Sequence, residues 1–191
     1  MSEVQAPPRR LRADGERNRT RLLDAAKQVF AAQGASASLE QVARDAGVGI
    51  GTLYRHFPTR DALIEAVYRQ ETDALVDAAE RLSEEHPQLE ALRQWMLLFV
   101  DFLAAKQGMA DALGTLIGGP DALSADASAR VTAAIDRLAQ EAEATGAVRF
   151  DVEPTDLLRA IGGVANLKAG GNWRASAERM VDVLLAGLAR G

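Results

Sequence analysis

The 191-residue chain contains no cysteine, two histidines and only 5% aromatic residues. Without cysteine it can form no disulfide and offers no thiolate ligand to a metal. His56 and His86 stand far apart, with no metal-ligand spacing, so neither a metal nor a cofactor is expected. Long hydrophobic runs are also missing. The longest, Trp95 to Val100, falls far short of the ~20 residues that span a bilayer. The first residues are rich in Pro and Arg and carry no apolar segment, so no secretory signal is read there and a cytoplasmic location is expected. No Ser–His–Asp set and no paired carboxylates can be argued, which leaves an all-helical enzyme without support. The glycines of Gly47-Val48-Gly49-Ile50-Gly51 follow no strand, so they do not form a phosphate-cradling turn.

What is present is an ordinary globular mixture, with 48% apolar and 26% charged residues. The net charge of −5 and pI near 5.1 argue at first against a polyanionic partner. The charge is unevenly placed, however. Residues 1–60 hold ten Lys/Arg against six Asp/Glu, a balance of +4, and the remainder holds twelve against 21, a balance of −9. One end is therefore suited to phosphates, and the acidic remainder is kept off them.

The stretch from Ser38 to Phe57 gives that basic end a form. Leu39, Val42, Ala43 and Ala46 recur with the period of one buried helix face. Ser38 precedes them as an N-cap, and Gly47 follows where a helix ends in a left-handed residue. A second short helix opens near Gly49 or Ile50 and carries Leu53, Tyr54 and Phe57. Two short helices joined by a glycine corner form the helix-turn-helix pattern, whose second helix enters the DNA major groove. Around this unit the chain reads as helix throughout. A first helix from Gly15 or Glu16 to Gln33 buries Leu22, Ala25, Ala26, Val29 and Phe30. Thr59 caps a long helix from Arg60 to about Glu84. Further helices follow over 88–106, 109–117 and 125–145, with residues 121–124 read as loop. Two more begin at Pro154 and Trp173, the former ended by Gly170-Gly171.

The run V-A-R-D-A-G-V-G-I-G-T-L-Y-R-H-F-P-T-R-D-A-L resembles the signature of TetR-type transcriptional repressors, over roughly residues 17–65. The resemblance implies an all-α fold of about nine helices. Residues 1–14 would be a flexible basic arm and 15–60 a three-helix DNA-binding domain. Residues 61–191 would form a helical effector-binding and dimerisation domain. It also implies a homodimer paired through the last two helices, a palindromic double-stranded DNA operator, and no membrane partner. Thr52, Tyr54 and His56 then face phosphates, as do Arg17, Thr20 and Arg60, which holds Arg where the family more often has Lys. Ser38 is counted with these DNA-facing residues. The groove-entering end of the second helix is Gly49, Ile50 and Gly51. The glycines allow close approach, Ile50 can touch a thymine methyl, and Arg55 can meet a guanine edge or a phosphate.

The aromatic and Met-rich helices suggest a second site. Trp95, Phe99, Phe102, Met109, Leu113, Leu116, Ile117 and Asn166 are candidate pocket residues for a small apolar or amphipathic effector. The same residues at the same spacing serve equally as plain core. Two functional readings stay open here. One is a repressor released by a small molecule. The other is a DNA-binding regulator with no such effector, controlled by a protein partner.

Overall fold

In the computed structural model, residues 9–116, 121–146, 148–167 and 172–188 are described. Among them the chain forms nine α-helices and one 3-10 turn, Gly34–Ser36, matching the expected all-α class. The helices are α1 (Arg9–Gln33), α2 (Leu39–Asp45), α3 (Ile50–His56), α4 (Arg60–Glu85), α5 (Gln88–Gly108), α6 (Ala110–Leu113), α7 (Asp121–Ala144), α8 (Pro154–Asn166) and α9 (Trp173–Leu188).

The contacts divide the chain into two compact units. The first takes residues 1–68 and 108–119, and the second takes 69–107 and 120–191. α4 is thus divided after Tyr68, and α6 belongs with the N-terminal helices.

In the first unit, α1 packs on α2 and α2 on α3. Its core is built from Leu22, Leu23, Ala26, Val29 and Phe30 of α1, Val42 and Ala43 of α2, and Leu53 of α3. Leu63, Ile64, Val67 and Tyr68 from the start of α4 complete it, with Met109, Ala112, Leu113 and Leu116 from the α6 segment. Gly34 explains the tight end of α1. Its φ is +56°, a conformation that favours glycine, and a Cβ there would lie 2.8 Å from an Asp111 carboxylate oxygen, so any side chain at 34 would strain the backbone and make Asp111 shift.

In the second unit, α5 supplies the central apolar face: Ala91, Leu92, Trp95, Met96, Phe99, Val100 and Phe102. The Trp95 and Phe99 rings stack with centroids 6.2 Å apart, and Phe99 continues to Phe102 at 6.1 Å. The indole N–H of Trp95 donates to the Leu75 carbonyl at 2.8 Å, so its one polar atom is satisfied inside. α7 packs on α8 and α8 on α9. Ala177, Val181 and Leu185 line the inner side of α9.

Several boundaries differ from the sequence reading. α1 begins at Arg9 rather than near Gly15, so residues 9–14 are helix rather than arm. Residues 9–14 contain neither proline nor glycine, and the single Gly15 costs about 1 kcal/mol in a helix without ending it. Residues 121–124, read as loop, open α7, where Asp121 favours the positive helix start. α6 is shorter than expected and ends at Leu113. α8 stops at Asn166, with Leu167 already extended at φ −70° and ψ 111°. The glycines at 118–119 and 170–171, expected to end helices, lie outside the described residues, as do residues 1–8 of the arm and Ile117.

Candidate nucleic-acid interface

The turn between α2 and α3 is fixed at both ends by local hydrogen bonds. Ser38 is extended, and its Oγ accepts from the Gln41 N–H at 3.3 Å, capping α2. The same hydroxyl donates to Glu40 at 2.9 Å. Glu40's own backbone N–H, and then Ser38, hold its carboxyl below the usual carboxylate range. At the other end Gly47 has φ +66°. The Val48 N–H reaches back to the Ala43 carbonyl and the Gly47 N–H to that of Arg44, both at 3.0 Å. This paired closure is the Schellman motif, and it explains why a glycine stands at 47. Gly49, extended at φ −71° and ψ 148°, then starts α3, accepting at its carbonyl from Thr52 N–H at 2.8 Å.

α3 has a dry side and an outer side. Leu53 is fully buried and Phe57 nearly so. Outward stand Gly49, Ile50, Gly51, Tyr54 and Arg55, all exposed. Ile50 and Tyr54 are unusual as large apolar side chains left 38% and 46% exposed. No heavy atom lies within 4 Å of a Cβ built on Gly49 or Gly51, so neither glycine is needed for packing within the head. Arg55 folds back along the helix. Its Nε donates to the Gly51 carbonyl at 3.3 Å and its Nη2 to Thr52 Oγ1 at 2.9 Å. The guanidinium is thereby held near the N-terminal end of α3, and Thr52 is half-buried beneath it. His56 is half-buried beside Phe57, with ring centroids 6.2 Å apart.

The flanking candidates sort differently. Arg17 and Thr20 are exposed on α1. Arg17 pairs with Asp14, and the Thr20 hydroxyl donates to the Glu16 carbonyl at 3.1 Å. Arg60 is half-buried, and its guanidinium donates to the carbonyls of Gly34, Ala35 and Ala37. The sequence reading missed Arg19, whose guanidinium lies 5.5 Å over the Phe57 ring and braces the end of α3. No local spacing could have revealed it, because the two residues belong to different helices.

The candidate effector residues fall in both units. Trp95, Phe99 and Phe102 are buried in the second; Met109, Leu113 and Leu116 are buried in the first. Asn166, at the last turn of α8, is exposed.

A capped helix, a left-handed glycine corner and a second helix with a polar, glycine-opened outer face define a helix-turn-helix DNA-binding head. Comparison with known proteins makes the assignment more specific. Residues 22–67 match the model described as bacterial regulatory proteins, tetR family. Residues 86–190 match that of the transcriptional regulator SbtR-like C-terminal domain. The HTH-type transcriptional regulator SrpR of Pseudomonas putida is 47% identical over 60 residues, 31% of this chain and 28% of SrpR. UidR of Escherichia coli K12, also an HTH-type transcriptional regulator, is 34% identical over 64 residues, 33% of each chain. These curated relatives are therefore matched over only about a third of their length. The solved structures are matched almost whole. A TetR transcriptional regulator from Streptomyces coelicolor superposes with a TM-score of 0.81 at 44% identity, over 90% of this chain and 98% of its own. A TetR transcription regulatory protein from Mycobacterium vanbaalenii gives 0.76 at 36% identity, over 94% and 99%. The chain belongs to the TetR family of bacterial transcriptional regulators, DNA-binding transcription factors rather than enzymes. Among the described residues no helix is long and apolar enough to cross a membrane.

Proposed function

We propose that the protein is a cytoplasmic, ligand-responsive repressor that binds a palindromic operator as a homodimer and leaves it when a small apolar or amphipathic effector binds. The outer face of α3 carries this reading: Ile50, Tyr54 and Arg55 are exposed beside two glycines whose missing side chains serve no packing need. Residues 15–60 act as the DNA-binding part and 61–191 as the effector-binding and dimerisation part. Arg17, Thr20, Thr52, Tyr54 and His56 contact phosphate. Gly49 and Gly51 admit the backbone, Ile50 meets a thymine methyl, and Arg55 reads a guanine edge.

The dimer is supported by the outer side of α8 and α9. Val183 is 64% exposed, and a Cβ on Gly162, Gly163 or Gly187 would meet nothing within 4 Å. A second copy can therefore approach these helices closely. The effector acts by population shift, favouring a dimer conformation whose recognition helices no longer match successive major grooves. One observation favours a second reading, control by a protein partner. The Trp95–Phe99–Phe102 stack is almost wholly buried, and the Trp95 N–H is already spent on Leu75.

The test is fluorescence anisotropy on a duplex selected by the protein from a randomised pool. Affinity should fall steeply with salt, and the Thr52→Ala, Tyr54→Ala double variant should lose binding. Retention of binding by that variant with no salt dependence would sink the reading. A thermal shift across a metabolite panel separates the two modes of control.

A further inference from the structure

We propose that Arg60, the first residue of α4, serves DNA binding as a positioning residue that clasps the α1–α2 junction, and not as a phosphate ligand. This rests on the reading that the head binds DNA. α1 ends at Gln33, and the chain then turns through Gly34–Ser36 to reach Ser38, the cap of α2. The carbonyls of this turn lie beyond the α1 ladder, and that of Gly34 already accepts from the Ala37 N–H at 3.3 Å. Arg60 reaches them from a distant point in the sequence. Its Nη2 donates to Ala35 at 2.9 Å and to Gly34 at 3.4 Å, and its Nη1 donates to Ala37. The carbon of the same guanidinium lies over the Phe30 ring, 5.2 Å from its centroid. A planar cation with five donors suits this arrangement on three counts. It bonds several carbonyls at once, stacks on an aromatic face, and opposes the negative end of α1.

The consequence for DNA is positional. Ala37 is the residue before the α2 cap, so the clasp sets where α2 begins and therefore how α2 and α3 lie against α1. A phosphate would have to displace three carbonyl partners to engage the same guanidinium. Lysine cannot replace Arg60 in this role. An ammonium group is a point charge without a flat face, and its donors cannot match the same three oxygens. At a phosphate, in contrast, lysine would serve nearly as well. The two roles therefore predict opposite results for one conservative substitution.

The experiment compares Arg60→Lys and Arg60→Gln with the wild-type full chain. Two readouts are used: anisotropy against salt on the duplex selected by the wild-type protein, and backbone hydrogen exchange without DNA. Cooperative thermal unfolding of each variant confirms that it folds. The clasp predicts that Arg60→Lys binds about tenfold more weakly, close to Arg60→Gln. It predicts an unchanged salt slope for both, and faster exchange over residues 35–41. Wild-type affinity in Arg60→Lys, with a salt slope in Arg60→Gln shallower by about 0.9 per head, would make Arg60 a phosphate ligand and overturn the proposal. Unchanged exchange over 35–41 in both variants would also overturn it. If the wild-type protein selects no duplex, the DNA-binding reading fails, and the exchange measurement still decides the clasp.

Discussion

Replacing Gly51 by alanine should separate stability from function in the recognition helix. Gly51 is the second residue of α3, its φ is not positive, and a Cβ there meets nothing within 4 Å. The added methyl therefore creates no clash in the free protein. Alanine lowers the entropy that the unfolded chain loses on forming the helix. Glycine costs roughly 0.5–1 kcal/mol relative to alanine inside a helix, and the lower end suits a first-turn position. The gain is then about 0.5 kcal/mol, or ~1–2 °C in Tm for a chain of this size. On DNA the sign reverses. If the glycines exist so that the backbone can come close, a methyl forced into that contact costs about 1–3 kcal/mol per recognition helix, or roughly 5- to 150-fold in affinity. Urea unfolding reads the first effect and anisotropy on a selected duplex the second. Undiminished affinity would refute the idea that α3 approaches DNA through its glycines. A loss of stability would refute the open geometry at 51.

The two left-handed glycines of the head should respond unequally to alanine. Gly47→Ala should cost about 1–2 kcal/mol for the backbone alone, because its φ is +66° and its nearest neighbour, the Arg21 Nη1, is 3.9 Å away. Gly34→Ala should cost more by urea unfolding, since the Asp111 carboxylate stands 2.8 Å from its new Cβ. Ser38→Ala should cost about 1 kcal/mol through the lost cap. The depressed Glu40 carboxyl has a defined sign. Its contribution is present above the ordinary carboxylate pKa and disappears as pH falls through the lowered folded value. Glu40→Gln should therefore narrow its stability difference from wild type in acid, and a widening difference would contradict the assignment. Val183→Glu should convert dimer to monomer in sedimentation velocity while the far-UV spectrum stays helical, because Val183 is exposed on α9 and contributes little to the protomer core.

The parts of the head that the sequence revealed are those set by neighbours along the chain. Ser38, Gly47 and Thr59 act on residues at most a few positions away. Ser38 does accept from Gln41, Gly47 is left-handed, and Thr59 accepts from the Ala62 N–H at 3.0 Å. The buried face of α2 was largely local: of the periodic Leu39, Val42, Ala43 and Ala46, the last three are buried and Leu39, at the helix start, is half-buried. What could not be read depends on contacts between helices. Arg60 was expected to face phosphate, and no spacing showed that its guanidinium has partners on the α1–α2 turn. Arg19 on Phe57 is a contact of the same kind. Nor did spacing show that Met109, Leu113 and Leu116 belong with the N-terminal helices while Trp95, Phe99 and Phe102 do not. Apolar residues at helical spacing announce burial without saying which helix covers them.

Two copies of α3 should read one DNA face, and a hydroxyl-radical footprint on the selected duplex tests that most directly. Two equal, symmetry-related protected regions, with major-groove centres about 34–36 Å or one helical turn apart, are expected. A single unpaired protection, or one unchanged by Thr52→Ala with Tyr54→Ala, would contradict the account.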